Sequence, residues 1–478
     1  MMKTLFTKTK IVCTIGPASG SPEVMKSLIT AGMDVARLNF SHGTHEEQKK
    51  NLDAVRAASK STGQPITILQ DLCGPKIRIG LFSTPTIELA QGMEFYITTE
   101  QITGDAKRVS TTYEDLPTDV KKGDRILLDD GKLAFLVERV EGKNIYCRVQ
   151  VGGVLSAHKG INLPGVKVSA PSLTEKDKDD MKFAFENKVD YVALSFVRRA
   201  EDIVLLRDFM RENGPKGRTI PIIAKIEKGE AIANIDDIVK ESDAVMVARG
   251  DLGVELPVEE VPVLQKMIVR KCNELGKPVI VATQMLETMI NNPTPTRAEA
   301  SDVANAVLDG ADAVMLSGET SVGKYPVQAV EMMDRILRNT EEHSSHMDMF
   351  IPDWIPSTHE YDPLCRSACL LAHYIGASTI VALTHTGLSA AHVAKFRPPA
   401  RIIAVTDDEK VVRRLNLIKG IRGLIIENLK SDIEVAFKMI RARLLADGYI
   451  QPGETIITTA GLPLFEGQPT NTIKVDKV

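Results

Sequence analysis

Short apolar runs alternate with longer amphipathic segments along the first two-thirds of the chain. Eight such runs occupy residues 10–15, 34–39, 66–71, 190–196, 221–227, 243–249, 278–284 and 312–317. Near-continuous apolar runs of this length are what parallel strands buried on both faces require. Between them, segments 22–31, 46–59, 201–212, 261–275 and 297–308 carry apolar residues on one helical face and charges on the other. Eight strands alternating with helices predict a TIM (β/α)8 barrel. A doubly wound sheet would want a glycine-rich phosphate loop after its first strand. This chain has Gly16-Pro17-Ala18-Ser19 there, which does not fit.

The alternation breaks twice. Runs at 94–99, 125–128, 132–139 and 144–151 are rich in Ile, Val, Phe and Tyr, with hairpin signals at Asp129-Asp130-Gly131 and Glu141-Gly142-Lys143. They predict a small all-β domain inserted at the catalytic end of the barrel, placed to act as a lid. After Arg338 a polar passage with Glu341, Glu342, His343, Ser344 and Ser345, and with prolines on both sides of Trp354, reads as a linker. Strands at 379–384, 401–406, 423–427 and 455–459 and a helix at 432–447 then predict a small α/β domain. The expected division is barrel over 1–71 and 171–342, lid over 72–170, and a C-terminal α/β domain over 343–478.

Composition narrows the class without changing this picture. At 478 residues the chain exceeds one hydrophobic core, and 43% hydrophobic with 26% charged residues is the balance of a globular protein. A net charge of −4 with mixed signs leaves no basic footprint for nucleic acid. No apolar run approaches the roughly 20 residues of a membrane helix, and 11–15 is too short for a signal-peptide core. The six cysteines form no Cys-x-x-Cys pair or zinc spacing and read as reduced thiols of a cytoplasmic protein.

The candidate chemistry sits where the fifth and sixth runs end. Lys225 and Glu227, two apart in an extended strand, share one face. A buried strand has no structural use for such a pair, because desolvating it is costly. With Asp251 they would gather at the carboxyl ends of the strands, where barrels place chemistry. Two carboxylates and an ammonium read as a Mg²⁺ site, which Mn²⁺ also suits, beside a cation able to meet a phosphoryl group. A buried ion-pair network is the alternative. Arg37–Gly43 is either a capped turn or a source of planar donors for an anion, and Asp71–Arg78 is either a solvated hinge or part of the site lining. Gly318–Lys324 nearly completes a P-loop, but Tyr325 stands where the metal-binding hydroxyl is required. His45-Glu46 lacks the second histidine of a zinc-protease helix.

Six blocks, 37–43, 71–78, 224–227, 246–255, 282–289 and 315–320, resemble the signature segments of the pyruvate kinase family in order and spacing, over essentially the whole chain. The resemblance implies Mg²⁺-dependent phosphoryl transfer from phosphoenolpyruvate to ADP, giving pyruvate and ATP, the last step of glycolysis. It implies that Glu227 and Asp251 hold the metal, that Lys225 stabilises the migrating phosphoryl group, and that Arg37 holds the substrate phosphate. Ser195, Gly250, Asp251 and Thr283 would bind the carboxylate end of the substrate. Thr283 would orient a proton donor, with Ser317 and Glu319 relaying the proton. Asn39, His42, Arg78 and Lys159 would meet the nucleotide. Another Mg²⁺ barrel acting on the same substrates, or a non-catalytic metabolite sensor, are the rivals; ADP dependence and turnover separate them.

K⁺-requiring family members hold the ion with the counterparts of Asn39, Ser41, Asp71 and the carbonyl of Leu72, and have a glutamate where this chain has Lys76. An ammonium supplies the one local positive charge that glutamate plus K⁺ would supply, so independence of K⁺ is expected. In the third domain, Thr384, His385, Thr386, Gly387, Leu388 and Ser389 open a helix, which by chemistry alone is an ordinary capped turn. The resemblance makes this loop, with 461–471 beside it, the phosphate site of a sugar-phosphate or nucleotide effector, and implies a homotetramer.

Overall fold

Eight parallel strands, β1 (Lys10–Thr14), β2 (Val35–Asn39), β3 (Thr67–Asp71), β4 (Tyr191–Leu194), β5 (Ile222–Ile226), β6 (Ala244–Ala248), β7 (Val279–Ala282) and β8 (Ala313–Leu316), close into a barrel. Around the barrel they run in the order β1-β8-β7-β6-β5-β4-β3-β2. The computed structural model describes residues 6–216, 219–344, 354–427, 429, 433–464 and 468–478. Almost every strand residue is buried, because helices cover the outside and side chains fill the inside. The helices begin where the sequence supplies caps. Thr44, Thr174 and Thr296 each accept the backbone N–H three residues on, and an acidic residue there returns the bond.

A repeated aspartate stitches the amino-terminal face. Asp34, Asp190, Asp243 and Asp312 immediately precede β2, β4, β6 and β8. Each accepts a backbone N–H from the first residue or two of the preceding strand, at Ile11, Ile68, Ile222 and Val279, over 2.8–3.1 Å. Two of the four also dock the C-terminal domain: Arg413 meets Asp190 at 3.0 Å and Arg397 meets Asp312 at 2.8 Å. Lys10, fully buried, donates to the Ile421 carbonyl at 2.7 Å. The C-terminal domain therefore sits on the face opposite the strand ends that carry chemistry.

The insertion between β3 and β4 has its own core and a six-stranded sheet, with a second two-stranded sheet pairing Thr86–Leu89 with Gly153–Ser156. It is not wholly β, since Leu116–Asp119 forms one helical turn. The C-terminal sheet has five strands; Thr472–Lys477, not expected from the sequence, pairs antiparallel at its edge. The expected linker needs correction. Residues 341–344 continue the helix Pro326–Ser344, anchored by the Arg338–Asp334 pair and by Glu341, which accepts the N–H groups of Lys8 and Thr9. Residues 345–353 of that linker, 432 of the expected helix and 465–467 of the effector-side loop lie outside the described residues.

One buried carboxylate gives the C-terminal domain a pH signature. Asp362 accepts from Lys395 Nζ at 2.7 Å, from His392 Nδ1 at 2.8 Å and from the Thr358 N–H at 2.7 Å. Burial alone would raise its pKa, but these bonds hold it down at about 2. A depressed carboxyl pKa contributes stability above its unfolded value, near 3.9, that is lost as pH falls towards 2. The melting temperature is therefore expected to fall more steeply between pH 4 and 2 in the native protein than in Asp362→Asn; parallel curves by calorimetry would refute this.

Candidate active site

At the carboxyl end of the barrel, Asp71 closes β3 and binds two cations at once. Arg37, from β2, reaches its Oδ2 with Nε at 2.7 Å and steadies itself on Thr14 Oγ1 at 2.9 Å. Lys225, from β5, reaches its Oδ1 at 3.3 Å and bonds Glu227 Oε1 at 2.8 Å and Ser195 Oγ at 2.7 Å. Ser195 donates onward to the Leu72 carbonyl at 2.8 Å, and Glu227 Oε2 accepts the Phe196 N–H at 2.6 Å. Lys225 and Glu227 thus share a face and touch, as the spacing of two predicts.

Burial opposes charge on Lys225 and Asp71, and attraction from their neighbours overcomes it. Lys225 sits above the ordinary lysine pKa because Asp71 and Glu227 outweigh desolvation. Asp71 sits below the carboxylate range because Lys225 and Arg37 do the same. Asp251 is the exception: burial first and Glu227 next push it up to about 6. Glu227 and Asp251 lie close enough to repel, since Glu227 adds to burial in raising Asp251, while Lys225 and Lys76 pull it the other way. Among the described residues no group of three or more His, Cys, Asp or Glu side chains forms a metal cage. Two carboxylates with the remaining positions left to ligand and water suit Mg²⁺, and the repulsion between Glu227 and Asp251 is what a divalent cation held by both would relieve.

Asp251 is not at a strand end, as the sequence pattern suggested. β6 stops at Ala248, and Asp251 lies in the short helix Arg249–Glu255 that follows. Thr283 likewise lies one residue beyond β7. It has φ of +69° and Gln284 has +56°, left-handed positions for a β-branched residue and its neighbour. Each costs about 1–3 kcal/mol and persists only where the surroundings over-determine it. Thr283 Oγ1 accepts the Gly250 N–H at 2.8 Å, which joins the two loops. After β8, the buried Ser317 Oγ has no hydrogen-bond partner. Glu319 is turned to backbone: its oxygens accept the N–H groups of Leu286 at 3.1 Å and Ser317 at 2.7 Å.

The remaining expected residues ring this centre. Asn39 Oδ1 accepts the Ser41 N–H at 3.1 Å. His42 is held below its ordinary pKa, first by desolvation and then by Lys76, Arg78 and Arg37, which places all four at one mouth. Lys76 is exposed and lines a cleft of about 820 Å³ with Asp130, Gly250, Asp251 and Gln284. On the lid, Lys159 pairs with Asp129 at 2.7 Å, and Arg78 forms a backbone bridge to Gly160. Sequence reasoning missed Thr14, the prop under Arg37, and Asp130, which faces the cleft from a hairpin recognised only as a turn. It also missed Arg249, a charge abutting an all-apolar strand.

In the C-terminal domain, Thr384, His385, Thr386, Leu388 and Ser389 line a pocket of about 200 Å³ with Tyr361, His392 and Thr470. Gly387, at φ +93°, turns the chain into the helix Leu388–Lys395, and its N–H bonds Thr384 Oγ1 at 2.9 Å.

Residues 6–330 match the family described as "Pyruvate kinase, barrel domain", and residues 362–476 match "Pyruvate kinase, alpha/beta domain". The chain is 43% identical over 474 residues to a pyruvate kinase of Clostridium acetobutylicum, covering 98% of this chain and 99% of that one. It is 46% identical over 471 residues to one of Geobacillus stearothermophilus, covering 98% and 80%. A crystal structure of a pyruvate kinase from Cryptosporidium parvum superposes with a TM-score of 0.91 at 38% identity, over 98% of this chain and 96% of that one. Barrel, inserted β domain, strand-end cations and these likenesses agree: the chain belongs to the pyruvate kinase family of phosphotransferases.

Proposed function

We propose that this site moves the phosphoryl group of phosphoenolpyruvate to ADP through the residues gathered on Asp71. The observation that carries this reading is the pair of cations, Arg37 and Lys225, both anchored on that one buried carboxylate at 2.7 and 3.3 Å. A loose, metaphosphate-like transition state spreads negative charge over its outer oxygens, and fixed cations stabilise it with little reorganisation. Arg37 holds the substrate phosphate and Lys225 meets the migrating group. Glu227 and Asp251 suit Mg²⁺ or Mn²⁺, which when bound supplies charge stabilisation at the phosphoryl and enolate oxygens. The amides of Gly250 and Asp251, with Ser195 and Thr283, bind the carboxylate end. Thr283 orients the proton donor toward the enolate carbon. Ser317 passes the proton through its unpartnered hydroxyl, and Glu319, bonded to the Ser317 N–H, holds it in place. Asn39, His42, Arg78 and Lys159 meet the nucleotide, and lid closure keeps water from the phosphoryl group.

The deciding assay is pyruvate formation from phosphoenolpyruvate and ADP with Mg²⁺, in K⁺-free buffer and again with K⁺ added. Lys76 supports turnover without K⁺, since its charge already reaches Asp251 and His42. Replacing Na⁺ by K⁺ at matched ionic strength is expected to change the rate by less than about twofold, because a fixed ammonium supplies the local charge. Clear stimulation by K⁺ would return Asn39, Ser41, Asp71 and the Leu72 carbonyl to the role of a cation site. No turnover with either ion would overturn the reaction itself. The pocket at Thr384–Ser389 supports regulation by a phosphorylated small molecule in a homotetramer, and six buried, unpaired cysteines suit a reducing, cytoplasmic setting.

A further inference from the structure

Arg249 is the first residue after β6, and its guanidinium is largely buried, with a role that the expected site residues leave open. One arm of its fork, Nη2, donates to the Thr283 carbonyl at 2.7 Å and lies 2.8 Å from Met285 Sδ. The other, Nη1, pairs with Asp302 at 2.7 Å and reaches Gln265 Oε1 at 3.4 Å. Nε is buried with no partner, so the side chain is held by its two ends alone. The carbonyl it grips belongs to the residue at φ +69°, whose Oγ1 is gripped from the other side by the Gly250 N–H at 2.8 Å.

We infer that Arg249 is a positioning residue, which holds Thr283 in its left-handed turn and ties that turn through Asp302 to the outer helix Arg297–Asp309. A bond to a charged donor is stronger than one to a neutral donor, and the planar fork serves two acceptors in a fixed geometry. Lysine's compact ammonium lacks the fork's fixed spacing between the two acceptors. Without the grip on its carbonyl, Thr283 relaxes toward ordinary φ and its hydroxyl leaves the Gly250 amide. Small displacements of a positioned group cost rate out of proportion to their size.

The inference rests on the role given to Thr283, and a double-mutant cycle separates the two. Arg249→Lys and Arg249→Gln are expected to lower kcat about 10²-fold with KM for phosphoenolpyruvate within about threefold, the signature of a transition-state interaction. Proton exchange on pyruvate is expected to fall in parallel. In a Thr283→Ala background the same substitutions should change kcat less than about threefold, because the two residues act as one unit. Equal factors in both backgrounds would overturn the inference. So would a crystal structure of Arg249→Lys in which Thr283 keeps its positive φ and its bond to Gly250. Full turnover in Thr283→Ala alone would instead remove the role of Thr283, and the crystal structure would still judge Arg249. Should the Arg249 variants fail to fold, Asp302→Asn frees one arm of the fork while leaving the other. It is expected to lower kcat by less than Arg249→Lys and only when Thr283 is present; no effect in either background would overturn the link to the helix.

Discussion

Replacing Lys225 with methionine is expected to lower pyruvate formation by about 10³-fold or more, while metal-dependent proton exchange on pyruvate largely survives. Removing one preorganised donor from a water-excluded site costs about 10²–10³ in kcat, and a full ammonium is a stronger group than a neutral donor. Lys225 stays charged because Asp71 and Glu227 hold it, so no fraction of the site works without it. In the proposed mechanism enolisation draws on other groups, Glu227, Asp251 and Thr283, which the substitution leaves in place. The buried network is expected to loosen without collapsing, since Asp71 keeps Arg37 and Glu227 keeps the Phe196 N–H. Breaking a buried pair outright costs about 3–5 kcal/mol; a smaller loss of unfolding free energy is expected beside the predicted kinetics. Equal loss of transfer and exchange would show that the lysine serves the whole site rather than the moving group.

The second large effect is expected at the carboxylate pair. Asp251→Asn removes one of the two anionic donors proposed for Mg²⁺ and leaves Glu227 bonded to Lys225 and the Phe196 N–H. Mg²⁺ dehydrates reluctantly and depends on anionic oxygens, so the amide is expected to raise the half-saturating Mg²⁺ concentration by about 10²-fold, some 2.7 kcal/mol of binding. The variant is expected to fold at least as well as the parent in metal-free buffer, because burial and Glu227 already strain the charged form of Asp251. An unchanged Mg²⁺ titration would take Asp251 out of the metal site.

Much of this was legible in the chain. Barrel strands show because burial on both faces leaves nearly uniform apolar runs, and an aspartate marks the start of every second strand from Asp34 to Asp312. Lys225 and Glu227 show because charge inside such a run has no structural purpose. The edge strand Thr472–Lys477 alternates, but with only two apolar residues, Ile473 and Val475, and no fully buried one, so it carries little hydrophobic signal. The positive φ at Thr283 was illegible for a different reason. A β-branched residue is the last one expected there, and what holds it lies 34 positions away in sequence, at Arg249. The helix that carries Asp251 is a single short element with no cap signal, since Ala248 precedes it.

The place of the lid in the chain also sets a timetable. β3 and β4 pair along Leu69–Asp71 and Tyr191–Ala193, yet the entire inserted domain is synthesised between them. At a cellular pace of about 5–20 residues per second, β3 waits on the order of ten seconds for its neighbour. Through that interval β3 lacks β4 and β1 lacks β8, so the outer strands of the β1–β2–β3 set have unpaired edges, the sort of surface that invites wrong partners. Two neighbouring hairpins of the insertion, Arg125–Leu128 with Leu133–Glu141 and Leu133–Glu141 with Asn144–Val151, form from local contacts, but Thr86–Leu89 pairs with Gly153–Ser156 and Leu127–Leu128 with Ile161–Asn162, so the insertion is complete only once Asn162 is made. A nascent chain stalled near residue 190 should accordingly hold a folded lid on an unclosed barrel, with β3 the stretch most in need of a chaperone.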